Sequence, residues 1–106
     1  VVVSEEGTPP PLPPTGTGSI AGETWVSLTG IPVPHGRANV WCVDWEGDVV
    51  ASTASDDEGR YELTGLDPGT YTVISKTWID GALYSGAVAH VEVVENKTTV
   101  TIIIMY

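Results

Sequence analysis

The chain has no phenylalanine, one cysteine, one methionine and only four lysine and arginine residues among 106. Each shortage excludes something. One cysteine, Cys42, cannot form an internal disulfide, so a disulfide-stapled scaffold is ruled out. Four cations against fourteen acids leave a net charge of −10. That balance argues against nucleic acid or an anionic membrane surface as a partner. No apolar run approaches the ~20 residues of a membrane-spanning helix; the longest, Ile102 to Tyr106, reads as a strand end. No dozen residues show helical periodicity. The first residue is valine, which suggests a mature chain whose leader has been removed or a domain cut from a larger protein.

What is present favours strands. Valine, isoleucine, tyrosine and tryptophan are plentiful, and these side chains suit a pleated, half-buried surface. The clearest passage is Ser55 to Val73, SDDEGRYELTGLDPGTYTV. Asp56-Asp57-Glu58-Gly59 reads as a turn whose glycine takes positive φ at little cost. Tyr61 and Leu63 alternate on one face of a short strand. Asp67-Pro68-Gly69 reads as a second turn, with proline presetting φ, and Tyr71 and Val73 resume the alternation.

This passage resembles the signature of carboxypeptidase regulatory-like (transthyretin-like, CNA-B-like) β-sandwich modules. The run T-D-x-x-G-x-Y-x-L-x-G-L-x-P-G-x-Y-x-V is matched at Gly59, Tyr61, Leu63, Gly65, Leu66, Pro68, Gly69, Tyr71 and Val73. Ile20-Ala21-Gly22 and Gly36-Arg37-Ala38-Asn39-Val40 are similar to the family's weaker opening motifs. The resemblance implies an all-β fold, a seven-stranded antiparallel Greek-key sandwich with an extended N-terminal tail. The residues agree, with strands expected at 19–28, 38–45, 49–55, 60–63, 70–78, 84–94 and 98–106. Ile20, Val40, Leu63, Leu66, Tyr71, Val73, Val100, Ile102 and Ile104 are the expected core. Residues 1–18 form a β-prone stub, Val1 to Glu6, and a linker, Gly7 to Gly18, with five prolines. Pro9 to Pro14 should be polyproline II. Residues 19–106 are the folded domain.

Chemistry-bearing residues are sparse. Cys42, His35, His90 and Met105 are the ligand types of a blue-copper site, but 47 residues separate Cys42 from His90, whereas cupredoxin-like proteins cluster these ligands near the C-terminus. Cys42 reads better as a small buried hydrophobe beside Ala38 and Val40. Asp44, Glu46, Asp48, Asp56, Asp57 and Glu58 fall in two turns. Hard oxygen ligands in loops suit Ca²⁺, yet the spacing matches no dedicated calcium loop, and Asp57 is expected to cap its own turn. No metal or other cofactor is expected. Enzymes on related sandwiches are not matched either. Hydroxyisourate hydrolases end in Tyr-Arg-Gly-Ser where this chain ends Ile103-Ile104-Met105-Tyr106, and the Tyr and His ligands of an intradiol dioxygenase are not placed together. No activated serine or thiol is visible, so the chain reads as non-catalytic. The only lysines, Lys76 and Lys97, lie outside the first strand, where the family's internal isopeptide bond would begin.

Three features point toward binding. Asn96-Lys97-Thr98 is a glycosylation sequon in a hairpin turn. The tryptophans Trp25, Trp41, Trp45 and Trp78 fall on the parity opposite to the expected core, as do Ile103 and Met105, and contiguous outward apolar groups signal a covered surface. The tail supplies the third: eleven polyproline II residues reach roughly 34 Å at ~3.1 Å each, close to the ~30–35 Å width of a 90-residue domain. Val1, Val2 and Val3 could then add as a strand to a neighbour's sheet, with the first and last strands as candidate acceptor edges and the last favoured. The expected protein is a non-catalytic extracellular or cell-surface structural module, polymerising through its tail. The alternative is an accessory or adhesive module with a glycan as partner.

Overall fold

The computed structural model describes residues 16–106. Nine strands follow in chain order: β1 Gly18–Ser27, β2 Pro32–Pro34, β3 Asn39–Val43, β4 Val49–Ala54, β5 Arg60–Leu66, β6 Gly69–Ile79, β7 Ala82–Val93, β8 Thr98–Val100 and β9 Ile103–Met105. There is no helix among the described residues. Seven expected strands become nine for two reasons. The Pro-rich corner contributes the short β2, and the last strand breaks at Thr101-Ile102 into β8 and β9. Val1 to Val3 and Pro9 to Pro14 lie outside the described residues.

The strands form two sheets. In one, β1 is central: β5 and β2 pair along one side, β8 and β9 along the other. The other runs β4-β3-β6-β7. Most pairs are antiparallel, but β8 and β9 run parallel to β1. The chain explains this. After β7 it turns at Val94–Lys97, changes sheet, and runs back beside β7, which sets it parallel to β1. Backbone bonds between Ser85 and Tyr106, 3.2 and 2.9 Å, join β7 to the chain end, and the Thr99 hydroxyl donates to Glu92 O at 2.6 Å. One flank of the sandwich is therefore zipped shut.

Ile20, Val40, Cys42, Tyr61, Leu63, Leu66, Tyr71, Val73, Val91, Val93 and Ile103 form the main core between the sheets. Val26, Ala38 and Met105 form a second cluster. Fully burying an aliphatic side chain contributes about 1.5–3 kcal/mol, so these positions carry the fold. The expected core is right through Val73 and inverted at the last strand. Val100 is 75% exposed, Ile102 is 49% exposed and Ile104 is half-buried, while Ile103 and Met105, expected at a subunit interface, are fully buried. The register decides it: Ile103 and Met105 lie beside Thr24 and Val26 of β1, whose side chains face inward. Counting apolar residues on each face favours the wrong one, because the inward face also takes Thr101.

A polar hub sits within this packing. The buried Thr24 hydroxyl lies 2.7 Å from His35 O, 2.9 Å from Ser55 Oγ and 3.2 Å from Gly59 O. The Ser55 hydroxyl accepts from Ala38 N–H at 2.9 Å. Together they tie β1, the β4–β5 turn and the start of β3, and leave these buried polar groups partnered.

Candidate assembly surface

The β4–β5 turn forms as its sequence demands, with one change of residue. Gly59 has φ +89°, and its N–H donates to Asp56 O at 3.0 Å. The carboxylate that caps the turn is Asp56, not Asp57: it accepts from the Arg60 and Glu58 N–H groups, both at 2.9 Å. Asp57 instead meets Arg37 at 2.6 Å on the surface, a pair worth little in water. At the second turn Gly69 has no positive φ. Gly65 takes it, at +70°, and the Tyr71 hydroxyl donates to Asp67 O at 2.6 Å.

Backbone donors from Arg60 and then Glu58 hold the Asp56 carboxyl below its ordinary value of 3.8. A depressed folded-state pKa means the contribution is complete above the ordinary value and is lost as pH falls through the lower one. The thermal midpoint of Asp56→Ala should therefore fall below that of the parent at pH 7. The gap should close as both are taken toward pH 2; a gap that persists there would show that the carboxylate charge is not the source.

Of the candidate metal ligands, Cys42 is fully buried in the core. Burial, followed by the charge on Asp44, pushes its thiol up to about 11, so it is unreactive at neutral pH. Met105 lies in the second core cluster, where its sulfur accepts from the Ser75 hydroxyl at 3.3 Å. The His35 ring lies 3.3 Å from the Thr77 hydroxyl. Asp44, Glu46 and Asp48 bring carboxylate oxygens within 4.8 Å of one another. Asp44 Oδ1 is already committed there, accepting from the Glu46 and Asp48 N–H groups at 2.9 and 3.0 Å, as a turn cap does.

All four tryptophans lie outside the buried core. Trp25 is half-buried on the outer face of β1, its Nε1–H donating to Glu23 Oε1 at 2.9 Å. Trp41 is half-buried on the outer face of β3, with Lys76 Nζ 6.0 Å from its ring centre. Trp78, next to the end of β6, is 67% exposed and Trp45 sits in the β3–β4 turn at 85%. Asn96 is exposed in the β7–β8 turn.

The sheet edges are the more informative surface. The zipped flank removes the last strand as a free edge, and β1 is central, so neither expected acceptor is open. The opposite flank is different. Among the described residues, β4 pairs only with β3, and β5 only with β1. Exposed edges are ordinarily protected by charge or proline, yet β4, Val-Val-Ala-Ser-Thr-Ala, has neither. Val49 is 59% and Val50 47% exposed. An open groove of about 740 Å³ adjoins this flank. Thr53 and Ala54 of β4 and Arg60 and Glu62 of β5 line it, and Val100 and Ile102 add apolar surface. No pattern in the sequence marks β4 as an edge, because edge status depends on which strands pair.

The fold is shared with a bacterial pilin. The crystal structure of the minor pilin of the Gram-positive pathogen Streptococcus agalactiae matches with a TM-score of 0.62 and 16% identity. The match covers 85% of this chain and 44% of that one, so the chain spans less than half the pilin's length. At this identity the likeness is one of fold. A scan against protein-family models finds no match. A search of curated proteins finds none either.

Proposed function

We propose that the chain is a non-catalytic structural module of an extracellular or cell-surface assembly, a filament or surface subunit joined by an N-terminal strand given to a neighbour. The observation that carries this reading is the open flank: an uncharged, proline-free edge strand with unpaired backbone is a template for another chain. The match of Asp56, Gly59, Tyr61, Leu66, Pro68, Gly69 and Tyr71 to the carboxypeptidase regulatory-like signature supports a scaffold held by its turns. The pilin likeness supports it at the level of fold. A head-to-tail contact of this kind propagates into a fibre unless it closes.

Sedimentation velocity tests the reading. The intact chain should give species larger than monomer that grow with concentration, and filaments in negative stain. A chain beginning at Gly16 should keep its β-sheet circular dichroism and sediment as a monomer. Identical sedimentation of the two would reduce the tail to a linker.

One observation favours a second reading, an adhesive or accessory module. Trp41 and Trp78 share the outer face of the β4-β3-β6-β7 sheet with Lys76, and aromatic faces stack on sugar rings. Retention of the Gly16 chain on insoluble polysaccharide, lost in Trp78→Ala, would select that reading.

A further inference from the structure

We infer that the acceptor is the open flank between β4 and β5, and that its occupant is the stub Val1–Glu6 of a second copy of this chain. This rests on the assembly reading above and names the two surfaces that meet.

The acceptor follows from the asymmetry of the sandwich. Its sheets are joined at β7 and the chain end, whereas β4 and β5 meet through backbone only at their connecting turn, where Asp56 N–H donates to Arg60 O at 2.8 Å, so a strand added along β4 meets a free ladder. The ladder phase of β4 can be read. Ser55 N–H donates to Ala38 O at 2.8 Å. Hydrogen-bonded pairs alternate along an antiparallel ladder, so Thr53 and Ala51 face β3, and the backbone groups of Ser52 and Ala54 face the flank. The exposed Val49 and Val50 of β4 are the apolar surface that such a strand would cover.

The occupant follows from length, direction and charge. β4 offers six residues, and the stub is about as long before the proline-rich linker begins. Direction argues for another copy. Thr17 to Ser19 is held on a straight path: Thr17 O accepts from Asn96 N–H, Gly18 pairs with Leu66, and Ser19 N–H donates to Lys97 O. The groove lies toward the other end of β1, beside Gly22 and Glu23. To fill its own groove the chain would have to reverse at Thr15-Gly16, against prolines that favour an extended path, with the Glu95 side chain packed on Gly16. Residues 7–15, extended, span roughly 28 Å, enough to reach a neighbour. Charge sets the register. Asp48 and Asp56 bracket β4, so the uncharged Val1 to Val3 lie on it, and Glu5 and Glu6 fall past its end, where the exposed Arg37 and Arg60, paired on the surface with Asp57 and Glu58 respectively, can share their charge.

Cysteine pairing tests this, because the native Cys42 is buried and will not compete. Chains carrying Val2→Cys and chains carrying Ser52→Cys are mixed at pH 8 under mild oxidation. A disulfide-linked dimer should form at least ~10-fold faster than with Ala87→Cys, on the outer face of β7, as the second partner. A companion variant, Ser52→Pro, places proline where the N–H points away from β3, so it should fold and sediment as a monomer. If assembly persists in Ser52→Pro, or cross-linking favours Ala87→Cys while the intact chain still assembles, the acceptor is wrong and the assembly reading stands. If one chain carrying both Val2→Cys and Ser52→Cys closes on itself at high dilution faster than the mixture links, the occupant is the chain's own stub. If the intact chain never exceeds monomer size, the assembly reading itself fails.

Discussion

Ile103→Ala should lower the unfolding free energy by about 2–5 kcal/mol, whereas Ile102→Ala should change it by no more than about 0.5 kcal/mol. The two are neighbours with the same side chain, so propensity and composition predict the same cost for both. Only the face differs. Ile103 is fully buried in the main core, and Ile102 is 49% exposed. Removing buried methylenes loses their transfer energy and leaves a cavity that the surrounding strands cannot collapse around. A domain of this size has about 5–15 kcal/mol in all, so Ile103→Ala should move the urea midpoint by a large fraction of the transition. Equal midpoints for the two variants would show that the last strand's register is wrong. They should be compared in the chain beginning at Gly16, so that assembly does not add to the measured stability.

The second large effect is expected at Gly22. Here β1 passes under the break between β8 and β9. A Cβ at Gly22 would lie in contact with the Thr101 carbonyl, a backbone group that no rotamer change can move. That carbonyl is pinned from both sides. It accepts the Tyr61 hydroxyl at 2.7 Å, and the Thr101 N–H donates to Ala21 O at 2.8 Å. Gly22→Ala must therefore displace the crossing or strip these bonds, at a cost of about 3 kcal/mol. The control is Gly69→Ala. Its φ is not in the left-handed region, and the nearest atoms to an added Cβ are at ordinary contact, 3.9 Å. It should be close to neutral by thermal melting. Equal losses at both glycines would point to strand propensity instead of the crossing.

These two sites mark the boundary between what could be read and what could not. Tyr61, Leu63, Tyr71 and Val73 were legible as core because turns on either side of them set the phase of alternation. Once a turn places one residue, period two places the rest. The last strand has no such anchor. Its apolar residues occupy both faces, so alternation is uninformative, and the inward face was chosen by β1, some eighty positions earlier in the chain. The cap at Asp56 in place of Asp57 is a different case: the acid three residues before Gly59 accepts from the Glu58 and Arg60 N–H groups, a spacing that the sequence itself contains, while Asp57 is left to pair with Arg37.

By itself, the sequence determined an all-β chain, its turns, its two-sheet class and the outward placement of its tryptophans. Those follow from local chemistry: glycine and proline dihedrals, short-range alternation and β-branched content. Tertiary structure alone decided that the last strand runs parallel to β1, that Ile103 and Met105 are core, and that β4 is left as an open edge. Each depends on which strands become neighbours. That is settled by the change of sheet after β7 and the backbone bonds that close one flank, so no window of residues along the chain contains it.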